Sequence, residues 1–324
     1  MRMRNLLYDK NIIQSVGFDI PIISVGNLSL GGSGKTPQIE YLIELLRDKY
    51  NLAVVSRGYK RKTKGFILAD ESATYESIGD ESFQIKRKFP EITVAVSEDR
   101  ALGIQKIINR KNIDVILLDD AFQHRKIRAG LQIVLTPYNQ LFYDDYIMPV
   151  GNLRERRKNM KRADIVVVTK CSESITLEEK NQITDEIKLY FKKNIFFSSI
   201  KYDDEIYREN KQISIENLKK KSILLITGIA NPTHLYAYLS EKNITFESLK
   251  FGDHHHFSSG DIKRIKQAYH NLETSDKLIL TTEKDYVRLK DKLSLPVYYL
   301  PIQTEIIERE MFNQKILDYV GKDE

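Results

Sequence analysis

Four groups of residues in this 324-residue chain have types and spacings suited to chemistry. The first is "SVGNLSLGGSGKTP", residues 24–37. Gly31, Gly32 and Gly34 permit positive φ and close backbone approach, so N–H groups around Ser33 can point at phosphate oxygens at the positive end of a helix. Lys35 would reach the β- and γ-phosphates of a nucleotide, and the Thr36 hydroxyl would sit on Mg²⁺. The strict phosphate-loop pattern asks for glycine at position 29, where this chain has Ser29. The second group is "VILLDDAFQHR", residues 115–125, whose Asp119 and Asp120 have the form of the acidic strand end that assists Mg²⁺ in phosphate-loop enzymes. An extended chain would point the two carboxylates to opposite faces. They would then divide the work, one orienting the metal's water shell and the other contacting a basic residue or the substrate. The third is "FGDHHHF", residues 251–257. On a strand only His254 and His256 would share a face, and neither cysteine nor an H-x-x-x-H spacing supports zinc. The fourth is a set of basic clusters, "RGYKRKTK" at 57–64, "HRKIR" at 124–128 and "RERRKNMKR" at 154–162.

These groups need a frame. Ile20 to Val25 read as a buried parallel strand, and Ile39, Leu42, Ile43 and Leu46 recur at the spacing of one helical face. The glycine loop is therefore a strand-to-helix turn. Further strand patterns at 51–58, 92–97, 114–120, 131–135 and 164–170 alternate with helical ones. That alternation predicts an α/β fold of the phosphate-loop kinase type, a doubly wound and mostly parallel sheet. Thr176 to Glu179 form a capping-box pattern that opens a helix over 176–193. A second set of strands starts with "NIFFSSIKY", which places a boundary near 195. Residues 1–195 would form the nucleotide-binding domain, and 196–324 a smaller α/β domain contributing to the substrate cleft.

Composition narrows the class. Hydrophobic residues make up 41% and charged residues 30%, a globular balance. The single cysteine, Cys171, excludes an intramolecular disulfide framework and fits a reducing interior. No apolar run reaches the roughly 18 residues of a membrane-crossing helix. The net charge of +6 is clustered, as for an anionic partner. A nucleic-acid track would interleave aromatics with those clusters, and only Tyr59 does so. GTP is disfavoured, because Phe122 and Gln123 stand where D-x-x-G needs glycine and "TKCS" carries Ser172 where a base-reading aspartate is needed.

The ordered set "VGNLSLGGSGKTP", "SRGYKRK", "LLDDAFQHR", "MPVGNLRE", "TGIANP", "FGDHHHF" and "TTEKD", from about residue 21 to 288, resembles the tetraacyldisaccharide 4′-kinases, the lipid A 4′-kinases of Gram-negative bacteria. In that family serine is tolerated at the position of Ser29, and Ala121 stands where glycine is usual. The resemblance implies an enzyme that moves the γ-phosphate of ATP to the 4′-hydroxyl of a tetraacylated glucosamine disaccharide 1-phosphate, with ATP and Mg²⁺ as cofactors. Lys35 and Thr36 would serve ATP and Mg²⁺, Asp119 the metal, Asp120 its surroundings, and Gln123 and His124 the nucleotide site beside them. Arg100 would lie near the phosphates, and Glu155 is a weaker match. Asp80 of "IGDES" would pair with His254 to take the hydroxyl proton, domain closure bringing them together. By residue type alone, Asp80 reads as a helix N-cap and Arg100 as a surface partner of Glu98 or Asp99. The resemblance further implies a monomer, peripheral on the anionic cytoplasmic face of the inner membrane, with no nucleic-acid partner. Family members carry a longer hydrophobic or amphipathic segment before "RNLLYDK". With only Met1, Arg2 and Met3 there, vesicle binding is expected to be weak and released by salt. Two other classes stay open: another phosphate-loop kinase or ATPase acting on an anionic or nucleic-acid substrate, and a non-catalytic switch in which Asp80, Asp120 and His254 are dispensable.

Overall fold

The computed structural model describes residues 2–321, so Met1 lies outside the described residues. The chain divides into two compact units. The first runs to Ile200 and resumes at Thr304, and the second is Lys201–Gln303.

The first unit opens with helix α1 (Arg2–Asp9) and continues through β1 (Ile22–Asn27), α2 (Lys35–Leu46), β2 (Leu52–Ser56), β3 (Ile67–Leu68), α3 (Tyr75–Ile78) and α4 (Asp80–Lys88). It proceeds with β4 (Thr93–Val96), α5 (Arg100–Ile108), β5 (Val115–Asp119), β6 (Leu131–Pro137), β7 (Ile165–Cys171), α6 (Leu177–Lys188) and β8 (Asn194–Tyr202). The second unit holds β9 (Glu205–Arg208), β10 (Lys211–Ser214), β11 (Ser222–Thr227), α7 (Thr233–Glu241), β12 (Glu247–Lys250), α8 (Ser259–Asn271), β13 (Lys277–Thr282), α9 (Glu283–Leu289) and β14 (Val297–Leu300). The chain then returns to the first unit as β15 (Ile302–Ile306) and α10 (Arg309–Val320).

The first sheet has the order β15-β8-β7-β6-β1-β5-β2-β4-β3. From β8 to β4 neighbouring strands are parallel, and β3 is antiparallel to β4. Every residue of β1 and β5 is buried, as parallel strands covered on both faces must be. The buried face of α2 includes Ile39, Leu42, Ile43 and Leu46, the spacing read from the sequence. Because β5 and β6 flank β1, the loops leaving β1 and β5 emerge at adjacent strand ends, where open α/β sheets hold ligands. The second unit has its own sheet, β10-β9-β14-β13-β11-β12, parallel from β14 to β12, with β9 antiparallel to both β14 and β10. The doubly wound, mostly parallel α/β architecture expected from the sequence is the one observed.

The expected boundary needs correction. Residue 195 falls inside β8, which pairs with β7 of the first sheet. Phe196 and Phe197 explain this, since they bury into two different cores of the first unit. The last segment also leaves the second unit. On α10, Phe312, Ile316 and Val320 are buried in the first unit's core, each contributing roughly 1.5–3 kcal/mol. The Tyr319 hydroxyl accepts from the N–H of Ile22 (3.0 Å) and stands 3.1 Å from its carbonyl, docking the helix beside β1. The capping box opening α6 forms as read, with Thr176 and Glu179 exchanging hydrogen bonds.

Candidate active site

The glycine loop leaves β1 at Asn27 and enters α2 at Lys35. Gly31 (φ 101°) and Gly34 (φ 87°) occupy the left-handed region, where any side chain would be strained. The loop is held from three sides. The Asn27 amide donates to Ser33 Oγ (2.9 Å), Thr169 Oγ1 at the end of β7 donates to the Ser33 carbonyl (2.8 Å), and the Leu30 N–H donates to Asn152 O (2.8 Å). Gly34 caps α2 without a side chain, so the first N–H groups of this 12-residue helix remain for an anionic ligand.

Across from the loop, β5 delivers Asp119. Ser56 Oγ donates to Asp119 Oδ2 (3.3 Å), while Oδ1 is buried without a hydrogen-bond partner. Burial, with the nearby charges of Glu81 and Asp120, pushes this carboxyl up to about 7 against the pull of Lys35 and Arg100. The chain does not stay extended at Asp120, as the sequence reading supposed, but turns into the left-handed region at φ 47°. That turn swings the Asp120 carboxylate to Lys35 Nζ (3.8 Å) and to a fork from Arg154, whose Nη2 and Nη1 donate at 2.8 and 3.1 Å. Burial alone would raise the Asp120 pKa, but Lys35, Arg154 and Arg100 together hold it at about 2. The two aspartates thus have different surroundings, through a backbone turn rather than strand alternation.

Arg100 is buried, not a surface partner of Glu98 or Asp99. Its Nη2 donates to the carbonyls of Asp119 (3.1 Å) and Asp120 (3.0 Å). Glu98 pairs with Arg61, and Asp99 caps α5 and pairs with Lys126. Gln123 donates to the Asn27 carbonyl (2.8 Å), which ties the segment after β5 to the end of β1. Burial and the charge of Arg100 lower the His124 pKa to about 4, and its buried Nε2 has no hydrogen-bond partner. Glu155 is buried and accepts from Arg162 and from Asn159 (2.7 Å). Arg162 also lies over the Phe122 ring (4.1 Å) and donates to the Phe122 carbonyl, so Glu155 is linked to the acidic segment through it. Asp80 is the first residue of α4, whose N-cap is Gly79. It is buried, and its Oδ1 accepts from the N–H of Glu81 (3.0 Å), so the N-cap reading does not hold.

In the second unit, residues 251–257 are a loop after β12 and not a strand, so the shared face of His254 and His256 does not arise. His254 sits at φ 53°, with its Nε2 2.9 Å from Lys284 Nζ. His255 Nε2 lies 3.0 Å from Asp261. The loop is pinned along its backbone: Phe251 N–H donates to Thr227 O, His254 N–H to Gly228 O, Arg288 Nη1 to His255 O and Lys292 to Phe257 O. Behind it, the buried Asp285 carboxylate accepts from Gly228 N–H (2.8 Å), Thr282 Oγ1 (2.8 Å) and Arg288 Nη2 (2.7 Å). Removing one partner of such a pair leaves an uncompensated buried charge. Asp285→Ala is therefore expected to destabilise the second unit by about 3–5 kcal/mol, with Asp285→Asn losing less. Denaturant unfolding with amide exchange at Gly228 would read this. A loss under about 1 kcal/mol would mean that solvent takes over the Arg288 guanidinium.

A family model described as tetraacyldisaccharide-1-P 4′-kinase matches residues 1–321. The chain belongs to the tetraacyldisaccharide 4′-kinase family. The family member from Flavobacterium johnsoniae is 50% identical over 321 residues, spanning 98% of this chain and 92% of its own. That from Bacteroides thetaiotaomicron is 44% identical over 338 residues, with 98% and 89% covered. Among solved structures, LpxK from Aquifex aeolicus in complex with ATP superposes with a TM-score of 0.78 at 29% identity, covering 98% of this chain and 94% of that one.

In this member of the tetraacyldisaccharide 4′-kinase family, several residues at the site were not singled out from the sequence. Asn27 receives Arg154 at its side-chain oxygen, besides holding Ser33 and Gln123. Gly26 is required by contact: a Cβ there would lie 2.6 Å from Phe122 Cβ and 2.9 Å from its backbone nitrogen. Lys170, at φ 60° within a register irregularity of β7 between Val168 and Cys171, brings its ammonium within 3.7 Å of where a Gly32 Cβ would stand. Arg154 was visible as the first member of a basic cluster and within "MPVGNLRE", with no role attached. Its inward turn to Asp120 carries no local signal.

Proposed function

We infer that the chain is an ATP-dependent tetraacyldisaccharide 4′-kinase that transfers the γ-phosphate of ATP to the 4′-hydroxyl of a tetraacylated glucosamine disaccharide 1-phosphate, a step of lipid A biosynthesis. The observation that carries this reading is the meeting of Lys35, Arg100 and Arg154 with Asp119 and Asp120 beside the glycine loop, in a chain that matches the family along its length. Three cations at one strand end suit phosphoryl transfer, whose catalysis is mainly positioning and charge stabilisation. Asp120 orients Lys35 and Arg154 toward the phosphates, and Arg100 fixes the turn that places it. In the transfer, the 4′-oxygen forms a bond to the γ-phosphorus, the bridging oxygen leaves with ADP, and the hydroxyl proton passes to His254. Asp80 serves the same step.

The donor set suits a divalent cation. Asp119 offers a buried carboxylate oxygen with no hydrogen-bond partner, the kind of donor a divalent cation takes. Asp119 and Thr36 would hold Mg²⁺, which when bound neutralises charge on the phosphates. Gly31, Gly32, Ser33, Gly34, Gln123 and His124 line the nucleotide's side of the site. A lipid acceptor fits a peripheral monomer at the anionic cytoplasmic face of the inner membrane. Among the described residues no helix is long and apolar enough to cross a membrane. The test is ADP release by the purified protein with and without detergent-dispersed disaccharide 1-phosphate. Acceptor-dependent release with a 4′-phosphorylated product is expected, and equal release without acceptor would make the chain an ATPase of another kind.

A further inference from the structure

Tyr146, Ile147, Met148, Pro149 and Val150 are five consecutive exposed apolar residues, with Tyr146 64% and Val150 83% accessible. They are not a loose end. Asp145 Oδ1 accepts from the N–H groups of Tyr146 (2.7 Å) and Asn152 (3.0 Å). Leu153 N–H donates to Tyr146 O (2.9 Å), Met148 N–H to Leu153 O (3.0 Å) and Val150 N–H to Ile147 O (3.2 Å). Leu153 is buried and bridges Ser29 of the glycine loop. The fold thus holds the backbone of this segment firmly while leaving its apolar side chains in water. Burying them would have stabilised the fold, so a contiguous apolar stretch presented this way calls for a partner.

Its neighbours say which. Arg157 donates from Nε to the Asp145 carbonyl (3.0 Å), and its guanidinium lies over the Tyr146 ring (5.2 Å). Arg156 and Arg157 are half-exposed, and Lys158 and Lys161 are exposed. Arg154 and Arg162 point inward to Asp120 and Glu155, and Asp145 is occupied by backbone N–H groups, which leaves the exposed Asp144 against four cations. An apolar tip with a tyrosine at its base and a basic rim is the chemistry of an interface between acyl chains and anionic headgroups. The same segment reaches the reaction centre directly, because Leu30 N–H donates to Asn152 O and Arg154 N–H to Leu28 O.

We propose that residues 146–150 insert into an anionic phospholipid bilayer, with Arg156, Arg157, Lys158 and Lys161 against its headgroup phosphates. This seats the glycine loop and Asp120 at the level where a membrane lipid presents its sugar. The choice of a bilayer as partner rests on the lipid-kinase reading, but the test does not use ATP or acceptor.

The chain contains no tryptophan, so one placed at a chosen site reports alone. With phosphatidylglycerol–phosphatidylcholine vesicles, Val150→Trp emission is expected to shift to shorter wavelength and to be quenched by brominated acyl chains. Leu189→Trp, at the exposed end of α6, is expected to stay unquenched. The paired change Ile147→Asp with Val150→Asp is expected to lower the vesicle-bound fraction roughly tenfold at about 0.1 M salt, where headgroup attraction and apolar insertion act together and neither alone holds the protein. Circular dichroism checks that the fold survives. The proposal is overturned if the wild type does not bind these vesicles, if Val150→Trp is unquenched in bound protein, or if Leu189→Trp is quenched equally. It is also overturned if the Val150→Trp shift occurs without vesicles together with a doubled mass, which would make the partner a second copy of the chain. Absence of acceptor-dependent turnover with vesicle insertion intact would sink the kinase reading and leave the insertion standing.

Discussion

Lys35→Ala is expected to lower phosphoryl transfer roughly 100- to 1,000-fold, by analogy with removing one preorganised donor to a transition-state charge, while leaving the fold stable. The asymmetry follows from its place. Lys35 is the first residue of α2, and that helix is anchored by Ile39, Leu42, Ile43 and Leu46 further along. Its ammonium stands 3.8 Å from the Asp120 carboxylate, a long ion pair. Losing it does not strand Asp120, which keeps both hydrogen bonds from Arg154. On the proposed reading, what disappears is positive charge where the γ-phosphate gathers negative charge during transfer. Turnover should therefore fall more than ATP binding, to which the backbone N–H groups of the loop still contribute. Lys35→Arg would restore charge but not the point-like ammonium, and recovery is expected to be partial. Near-normal turnover by a Lys35→Ala protein that is folded by circular dichroism would remove the glycine loop from the ATP site.

The parts of this site that could be read in the sequence are those encoded within one turn of chain. A glycine demanded by positive φ at 31 and 34, a lysine and threonine opening a helix, and two aspartates ending a buried strand announce themselves within a few residues. What could not be read is set by contacts between distant segments. Gly26 is needed because Phe122 packs against it, and Asn27 matters because Arg154 and Gln123 reach it from over 90 residues away. The turn at Asp120 is another case. Strand alternation predicts opposed carboxylates, whereas Arg100, from the start of α5, holds two successive carbonyls and stabilises a left-handed residue there. The conformation of the histidine loop was illegible for a similar reason. Its apolar flanks, Phe251 and Phe257, look like a strand, but both are buried in the second unit's core while the segment between them is pinned to α9 by Arg288 and Lys284. The apolar stripe of α10 could suit either sheet, and nothing local says that Phe312 meets Phe196 and Tyr41. Elements were legible to within a few residues, and their long-range assignments were not.

His254→Ala is expected to lower turnover by roughly 100- to 10,000-fold, the range for a positioned general base, with ATP affinity little changed. The expectation stands on His254 within its own unit. Lys284 Nζ, 2.9 Å from His254 Nε2, is an ammonium with protons to give and no lone pair to accept with, so Nε2 is the acceptor in that contact. In this contact the Nε2 lone pair is engaged by Lys284, so the ammonium must give way to the sugar hydroxyl before Nε2 can take its proton, while the loop backbone stays fixed at four points with its left-handed turn at His254 itself. Asp80→Ala should give a loss of similar size if the carboxylate serves the same proton, as proposed. A double-mutant cycle then decides between shared and separate roles. Two groups acting as one unit are both lost with the first substitution, so Asp80→Ala with His254→Ala should cost far less in free energy than the sum of the single changes. Turnover and ATP binding must be read separately, because a general loss of nucleotide affinity would mimic additivity. Additive losses in turnover alone would assign Asp80 and His254 to different steps. A large loss at His255→Ala with His254→Ala silent would move the base to the imidazole that Asp261 holds at 3.0 Å, and with it the direction from which the sugar hydroxyl must approach.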